Sequence, residues 1–481
     1  MIEKYKNLPV HIRASIWFIL CNVLLKGISF FTAPLFTRLL PTDEYGKLTL
    51  FASYEQIILI FATWEVGLSP FQRGSFKFRD NKEVFNTTVI LFGMIATLIV
   101  GFFILLFQKR ISSFTEMPLW LLLVLLAYAF FNTAYVSWMT ENKLCINYVQ
   151  VSIMTVGMTV VQIACSLMAV LFIGKKAEMK MLFMLIPAIL VSLFLTLRRF
   201  RIHKIWEAKK EIKSQFRFLL TFTWPLVIHS LSYLVLAQAD RIMIGKMINN
   251  STAGIYGVSY SIASIVIIVQ SGVLQVISPW IYHKMDEEDY SGIQKRIAPI
   301  LLIVSLLYIL FILVAPDIII LLYPEYYWEG IWCIPPISVG VYFMFMYSLF
   351  VTVEECLDQT RYVALVSIVC SLINVVLNYF GIKLFGYIAC AYTTLFSYML
   401  FAAGHYYFMS KIIKEEIGRK KIFDGKLFFI LSIVMVILMV GITFLYNSIG
   451  VRYILVALLL ASVVLKRKRI LSVFEEIKNK Q

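Results

Sequence analysis

Long apolar runs alternate with short polar segments along the whole chain. Fourteen such runs stand out, at 14–40, 48–68, 84–107, 118–138, 151–173, 181–199, 217–239, 253–279, 297–322, 331–353, 362–382, 386–409, 427–447 and 450–465. Each is close to the roughly 20 residues that a helix needs to cross a hydrocarbon core about 30 Å thick. Strand-like alternation is absent, and isolated strands leave backbone groups unpaired in lipid. The pattern predicts an all-α polytopic membrane protein of about fourteen transmembrane helices.

Composition agrees. The 481 residues are 60% hydrophobic and 15% charged, with a mean hydropathy of +0.83. A soluble chain with that balance has too little polar surface to cover itself. The formal net charge of +16 raises nucleic acid as a partner, but the basic residues sit in loops beside apolar runs, so none is expected. Lys and Arg divide 32 to 11 between alternate loops, with Lys26 left inside a run. By the positive-inside rule, both termini face the cytoplasm. The first apolar run is too long for a cleavable signal peptide. The seven cysteines show no metal-ligand spacing and behave as small hydrophobes. No metal site or cofactor is expected.

The most basic loop follows the sixth run and divides the chain. The expected layout is an N-lobe over 1–199, a basic cytoplasmic linker over 200–216, a C-lobe over 217–410, and a final helix pair with a basic tail over 411–481. The lobes look like repeats. Tyr45-Gly46 opens the second run and Tyr256-Gly257 the eighth, 211 residues apart, with Ala52-Ser53 and Ala263-Ser264 in register. Six helices per half keep the same orientation, as in parallel repeats about an axis along the membrane normal.

Four stretches carry a family resemblance. The first is Lys26-Gly27-Ile28-Ser29-Phe30-Phe31-Thr32-Ala33-Pro34-Leu35-Phe36-Thr37-Arg38-Leu39-Leu40-Pro41, closed by Glu44-Tyr45-Gly46. The second is Ala239-Asp240-Arg241-Ile242-Met243-Ile244-Gly245-Lys246, followed by Ala253-Gly254-Ile255-Tyr256-Gly257. The others are Tyr323-Pro324-Glu325-Tyr326-Tyr327 and Asn374-Val375-Val376-Leu377-Asn378-Tyr379, continuing through Gly386. In their order and spacing the set resembles the Wzx-type polysaccharide flippases, in the polysaccharide transporter branch of the multidrug/oligosaccharidyl-lipid/polysaccharide (MOP) exporter superfamily. The resemblance implies two six-helix lobes in a MATE-like V around a cationic cavity. It also implies movement of an undecaprenyl-pyrophosphate-linked oligosaccharide between leaflets of the bacterial cytoplasmic membrane. Implied partners are membrane lipids, a polysaccharide polymerase and a chain-length regulator, with H+ or Na+ as coupling ion. Many relatives are drawn with twelve spans. This chain has two more, like the lipid II flippases of the same superfamily.

Charges inside spans cost about 2.5–3.5 kcal/mol each on insertion scales and need a reason. Lys26 lies too deep in the first span to snorkel easily. Its ammonium either faces a cavity and attracts a pyrophosphate or pairs with Glu55 or Glu65 on the next helix. Glu55 and Glu65, ten residues apart, are read as sharing one helix face and are the ion-coupling candidates; Glu65 also has Arg73 as an alternative partner. Arg38, Asp240 and Arg241 are cavity-mouth or substrate-contact candidates. Gln275 and Asn378 could hydrogen-bond sugars, although interhelical bonding is the plainer role for buried amides. His229 reads as a packing residue. Pro34 and Pro225 are expected to bend their helices.

No Walker A loop, GxSxG or HExxH is present, so no enzyme is expected. The run Asp286-Glu287-Glu288-Asp289 lacks EF-hand spacing and reads as a solvated loop. Three competitors remain: an ion-coupled multidrug or small-molecule exporter, which predicts a carboxylate-dominated cavity, a lipid II flippase of the same superfamily, and a membrane glycosyltransferase or polymerase, which needs large outer loops or a catalytic acidic motif.

Overall fold

A computed structural model describes residues 10–202, 209–357, 360–418 and 422–465. Part of the basic linker, Arg419-Lys420-Lys421 and the basic tail after 465 lie outside these residues. Among the described residues there is no strand, and every apolar run is helical. In chain order the helices are α1 Val10–Leu39, α2 Thr42–Thr63, α3 Ser69–Lys77, α4 Lys82–Leu106, α5 Gln108–Thr115, α6 Leu119–Leu144, α7 Tyr148–Phe172, α8 Ala177–Ile202 and α9 Lys209–Met247. They continue as α10 Asn250–Ala263, α11 Ile265–Asp286, α12 Tyr290–Leu322, α13 Ile334–Cys356, α14 Thr360–Phe385, α15 Ile388–Glu416, α16 Gly425–Phe444 and α17 Ile449–Leu465.

Eleven helical segments are long and apolar enough to cross a membrane, three fewer than the fourteen expected. The three are α2, α15 and α17. α17 is short, at 17 residues. α2 opens on Asp43 and Glu44 and carries Glu55 at its centre. α15 carries Thr394, Ser397 and His405 among its buried residues. The last two trade hydropathy for polar side chains.

Local chemistry sets the ends. Pro118 precedes α6, and Asp424 caps α16 by accepting from Lys426 N at 3.1 Å and Leu427 N at 3.3 Å. α14 ends where Gly386 takes φ +76°, a conformation that costs an L side chain but not glycine.

The helices form two compact units, Met1–Leu234 with Asn249–Gly254, and Val235–Ile248 with Ile255–Gln481. In the first, α1 packs on α7, α2 on α4 and α6, and α8 on α6 and α7. Glu44 accepts from Ala177 N at 2.7 Å, tying the start of α2 to the start of α8. A Cβ on Gly46 would lie 1.8 Å from the Asn250 carbonyl oxygen, so only glycine permits this backbone approach. That explains the Glu-Tyr-Gly signature in structural terms.

In the second unit α13 is central: 83% of its most apolar window is buried, and it packs on α15, α11 and α16. The final pair, α16 and α17, docks on α12. Arg452, 2% exposed, grips Asp317 at 2.8 and 3.2 Å and donates to the Leu313 carbonyl at 2.8 Å. Tyr446 Oη donates to the Ile312 carbonyl at 3.0 Å.

Candidate functional site

The second apolar run does not continue as one helix to residue 68. α2 stops at Thr63, and Trp64 and Glu65 take left-handed φ values of 50° and 51°. Non-glycine residues hold such angles at a cost of order 1–3 kcal/mol each, and only where surroundings over-determine them. Here Trp64 packs on Phe92 at 5.7 Å and Trp224 at 5.9 Å. Glu65 N–H donates to Thr63 Oγ1 at 3.2 Å, and Thr140 Oγ1 donates to the Gly67 carbonyl at 2.8 Å.

This turn corrects the expectation that Glu55 and Glu65 share a helix face. Glu65 lies past the helix end, so helical spacing does not apply to it. Nor is it paired with Arg73. Instead Ser230 Oγ donates to Glu65 Oε2 at 2.5 Å.

Glu65 opens into a cavity of about 400 Å³ within the first unit, which Gln56, Asn132, Thr133, His229, Ser230 and Tyr233 also line. Three helices and the strained turn therefore converge here: α2, α6 and the first half of α9. Thr133 is 1% exposed, and its hydroxyl has no hydrogen-bond partner. The wall combines a carboxylate, neutral donors and acceptors, and aromatic surface, a set suited to a polar ligand.

A second cavity of about 540 Å³ in the same unit is lined by Asn86, Ser137, Glu141 and Arg199. Arg199 bridges Glu83 and Glu141 at 2.6 Å each, and Asn86 Nδ2 donates to Glu141 Oε1 at 3.1 Å.

Lys26 sits just past the middle of α1, partly exposed. Among the described residues it has no ion-pair or hydrogen-bond partner, so neither Glu55 nor Glu65 neutralises it. Glu55 has a different cation, Lys180 on α8, within electrostatic reach. Lys180 lies 4.6 Å from the centre of the Phe36 ring. The sequence reading placed Lys180 in a loop. Its position, three residues into α8 beyond the Glu44-capped Ala177, was the missed signal. Arg38 is exposed in the last turn of α1.

The other candidates fall in the second unit. Asp240 is 1% exposed and accepts from Tyr256 Oη at 2.6 Å and Arg241 N at 2.8 Å. Arg241 bonds Gln238 and stacks 4.1 Å above Tyr260, whose hydroxyl meets that of Tyr398 at 3.2 Å. The Asp-Arg signature is thus the centre of a buried network joining α9, α10 and α15. Asn378 is fully buried and donates to Asn374 Oδ1 at 3.0 Å, and Asn374 reaches Ser397 at 3.2 Å. Gln275 is exposed on α11. Gln162 makes the interhelical bond expected of buried amides, to the Met184 carbonyl at 3.0 Å.

The acidic run after α11 holds local bonds. Asp289 caps α12 by accepting from Gly292 N at 2.9 Å, and Lys284 pairs with it at 3.3 Å. The Gly292 N–H and Lys284 hold the Asp289 carboxyl below its ordinary range. No group of three or more metal-ligating side chains is found among the described residues.

Known proteins resemble this architecture. Residues 12–285, more than half of the chain, match the polysaccharide biosynthesis protein family. No curated protein sequence is a match. Among solved structures, the lipid II flippase MurJ in an inward closed conformation is 15% identical, with a TM-score of 0.63 over 96% of this chain and 98% of that one. An inward-facing multidrug resistance MATE family transporter of the MOP superfamily is 14% identical, with a TM-score of 0.61 over 84% and 96%. A MOP superfamily transporter from Pyrococcus furiosus is 16% identical, with a TM-score of 0.51 over 84% and 96%. At these identities the likeness is one of fold. The family match covers more than half of the chain, so the chain belongs to the polysaccharide biosynthesis protein family.

Proposed function

We propose that this protein is a flippase that moves undecaprenyl-pyrophosphate-linked oligosaccharide units from the inner to the outer leaflet of a bacterial cytoplasmic membrane, with both termini in the cytoplasm. The observation that carries the reading is Lys26. An ammonium that is partly exposed and has no partner among the described residues, deep in an apolar helix, is available to an anion. In low dielectric a charge-assisted bond to a phosphate oxygen is stronger than in water. The 32-to-11 division of basic residues supports the orientation.

In the proposed cycle the pyrophosphate seats on Lys26, the glycan meets neutral donors and acceptors, and the prenyl tail stays in lipid. Alternating access then exposes the headgroup to the other face. Arg38 and Arg241 supply further positive charge along the path, with Asp240 orienting Arg241. Gln275 and Asn378 belong to the glycan-contacting set in the conformation that opens the second unit. Glu55 and Glu65 are the ion-coupling carboxylates for H+ or Na+. A polysaccharide polymerase and a chain-length regulator would receive the product.

A multidrug exporter is the second reading. It is favoured by Glu65, the one acidic side chain lining the cavity of about 400 Å³. The test is Lys26→Ala in a strain whose surface glycan depends on this protein, with lipid-linked units assayed in each leaflet. Loss of one charged hydrogen bond, about 1.5–3 kcal/mol, predicts export about 10- to 100-fold lower at normal protein level, with units accumulating in the inner leaflet. Lys26→Arg should retain part of the activity. Unchanged export in Lys26→Ala overturns the reading, and accumulation of cationic drugs instead of glycan precursors favours the exporter.

A further inference from the structure

The second unit buries an acid–base pair that none of the preceding roles uses. Glu354, near the end of α13, and His405, in α15, are both 0% exposed. His405 Nδ1 lies 2.9 Å from Glu354 Oε2. The imidazole is packed edge-on by Tyr347 at 4.7 Å and Phe401 at 4.8 Å. Two atoms of the pair are left over: Glu354 Oε1 and His405 Nε2 are buried with no hydrogen-bond partner.

Among the described residues no other side chain pairs with either group. Among the described residues, Tyr282, His283 and Lys284 of α11, Arg296 and Asp317 of α12, Cys370 of α14, Lys411 of α15 and Lys426 of α16 form no ion pair with either group. Glu355 is the further acid that feels the Glu354 charge; it accepts from Tyr282 Oη at 3.3 Å.

We propose that the Glu354–His405 pair is a proton-binding site that couples proton movement to opening of the second unit. The inference rests on the transport reading above. With one shared proton the pair is net neutral, as carboxylate with imidazolium or as carboxylic acid with imidazole, and it tolerates a dry interior. When that proton leaves to water, a carboxylate with no cation remains, facing a neutral ring with a bare acceptor. Burying that state is costly, so deprotonation favours a conformation in which water reaches the pair. One further proton, taken by the Glu354 carboxylate beside the imidazolium, likewise leaves a buried net positive charge. Proton occupancy and hydration are therefore linked through the difference in proton affinity between closed and open states.

The test uses full-length protein with Glu354→Gln, His405→Gln and the double variant, whose two amides keep the size and hydrogen bonding without titrating. Infrared difference spectra in lipid nanodiscs are taken between about pH 5 and 8. The wild type should show a carboxyl band and an imidazole band changing together, and both should be lost in each single variant. In cells, glycan export by the wild type should fall with a protonophore, while the double variant should export more slowly and keep only the part of that sensitivity that Glu55 and Glu65 carry. Spectra unaltered by either substitution overturn the proposal, as does protonophore sensitivity unchanged in the double variant. Absence of glycan export by the wild type would sink the flippase reading alone, since the spectra still report the proton.

Discussion

The two units handle charge inside apolar helices in opposite ways. In the second, Asp240, Arg452 and Glu354 are each 2% exposed or less, and each meets a specific partner: Tyr256, Asp317 and His405. In the first, Lys26 has no partner among the described residues, and Glu65 opens into a cavity with a single hydroxyl donor from Ser230. The desolvation cost of a charge is offset by partners at Asp240, Arg452 and Glu354, and at Glu65 by access to polar space. Lys26 is partly exposed and lines neither of the two cavities.

The strongest way to break that contrast is at the final helix pair. Asp317→Ala leaves the Arg452 guanidinium buried without its carboxylate. Losing one member of a buried ion pair costs about 3–5 kcal/mol, and the lower end fits here because Asp317 is 30% exposed. Thermal unfolding in detergent should show the largest loss of all the substitutions considered. Arg452→Ala should cost roughly half of that figure, since the stranded carboxylate reaches polar surroundings. Equal melting of Asp317→Ala and wild type would remove the structural role.

Next is Tyr256→Phe. It deletes the phenol donor to Asp240 and leaves a buried acceptor short of one bond, at about 1–3 kcal/mol. Export should decline with stability and recover under stabilising conditions. A complete loss of export with unchanged melting would move Asp240 from the structural set to the functional one.

These partnerships mark where the sequence was legible. Hydropathy located the long apolar helices, because crossing a bilayer sets a minimum length, but not the short α3 and α5, which lie between the apolar runs. The Tyr-Gly spacing singled out Gly46, whose backbone contact with Asn250 requires glycine. Asp240 and Tyr256 stood in one quoted stretch, sixteen residues apart. Glu354 and His405 are 51 residues apart on helices whose apolar patterns say nothing about which faces meet. Arg452 falls inside the apolar run at 450–465, whose pattern likewise does not name Asp317 as its partner. The break at Trp64 has turn residues just downstream, Gly67 and Pro70; aromatic packing on Phe92 and Trp224 holds that turn, and Glu65 lines the cavity because of it.

A smaller effect sharpens the contrast from the other side. Glu65→Gln keeps an oxygen that can accept the Ser230 hydroxyl and removes only the charge. With the cavity beside it, the cost to stability should be below about 1 kcal/mol, with little change in melting. Any larger defect in transport would then report function. If Glu65→Gln unfolded the protein as readily as Asp317→Ala, openness to the cavity would not distinguish the first unit's charges.

The smallest expected change in stability belongs to Lys26→Ala, the variant with the largest expected change in export. Lys26 donates to no described group, so truncation strands no acceptor. Its partial exposure limits the packing lost, and removing a charge from an apolar helix recovers part of its insertion cost. These terms oppose one another, and melting should stay within about 0.5 kcal/mol of wild type. Adding pyrophosphate or a short-chain prenyl pyrophosphate separates the roles further. The wild type should gain thermal stability by binding an anion that prefers the folded state, and Lys26→Ala should lose most of that gain. An unliganded Lys26→Ala protein that melts far below wild type would mean that the ammonium braces the fold, and the first unit would then use its charges as the second does.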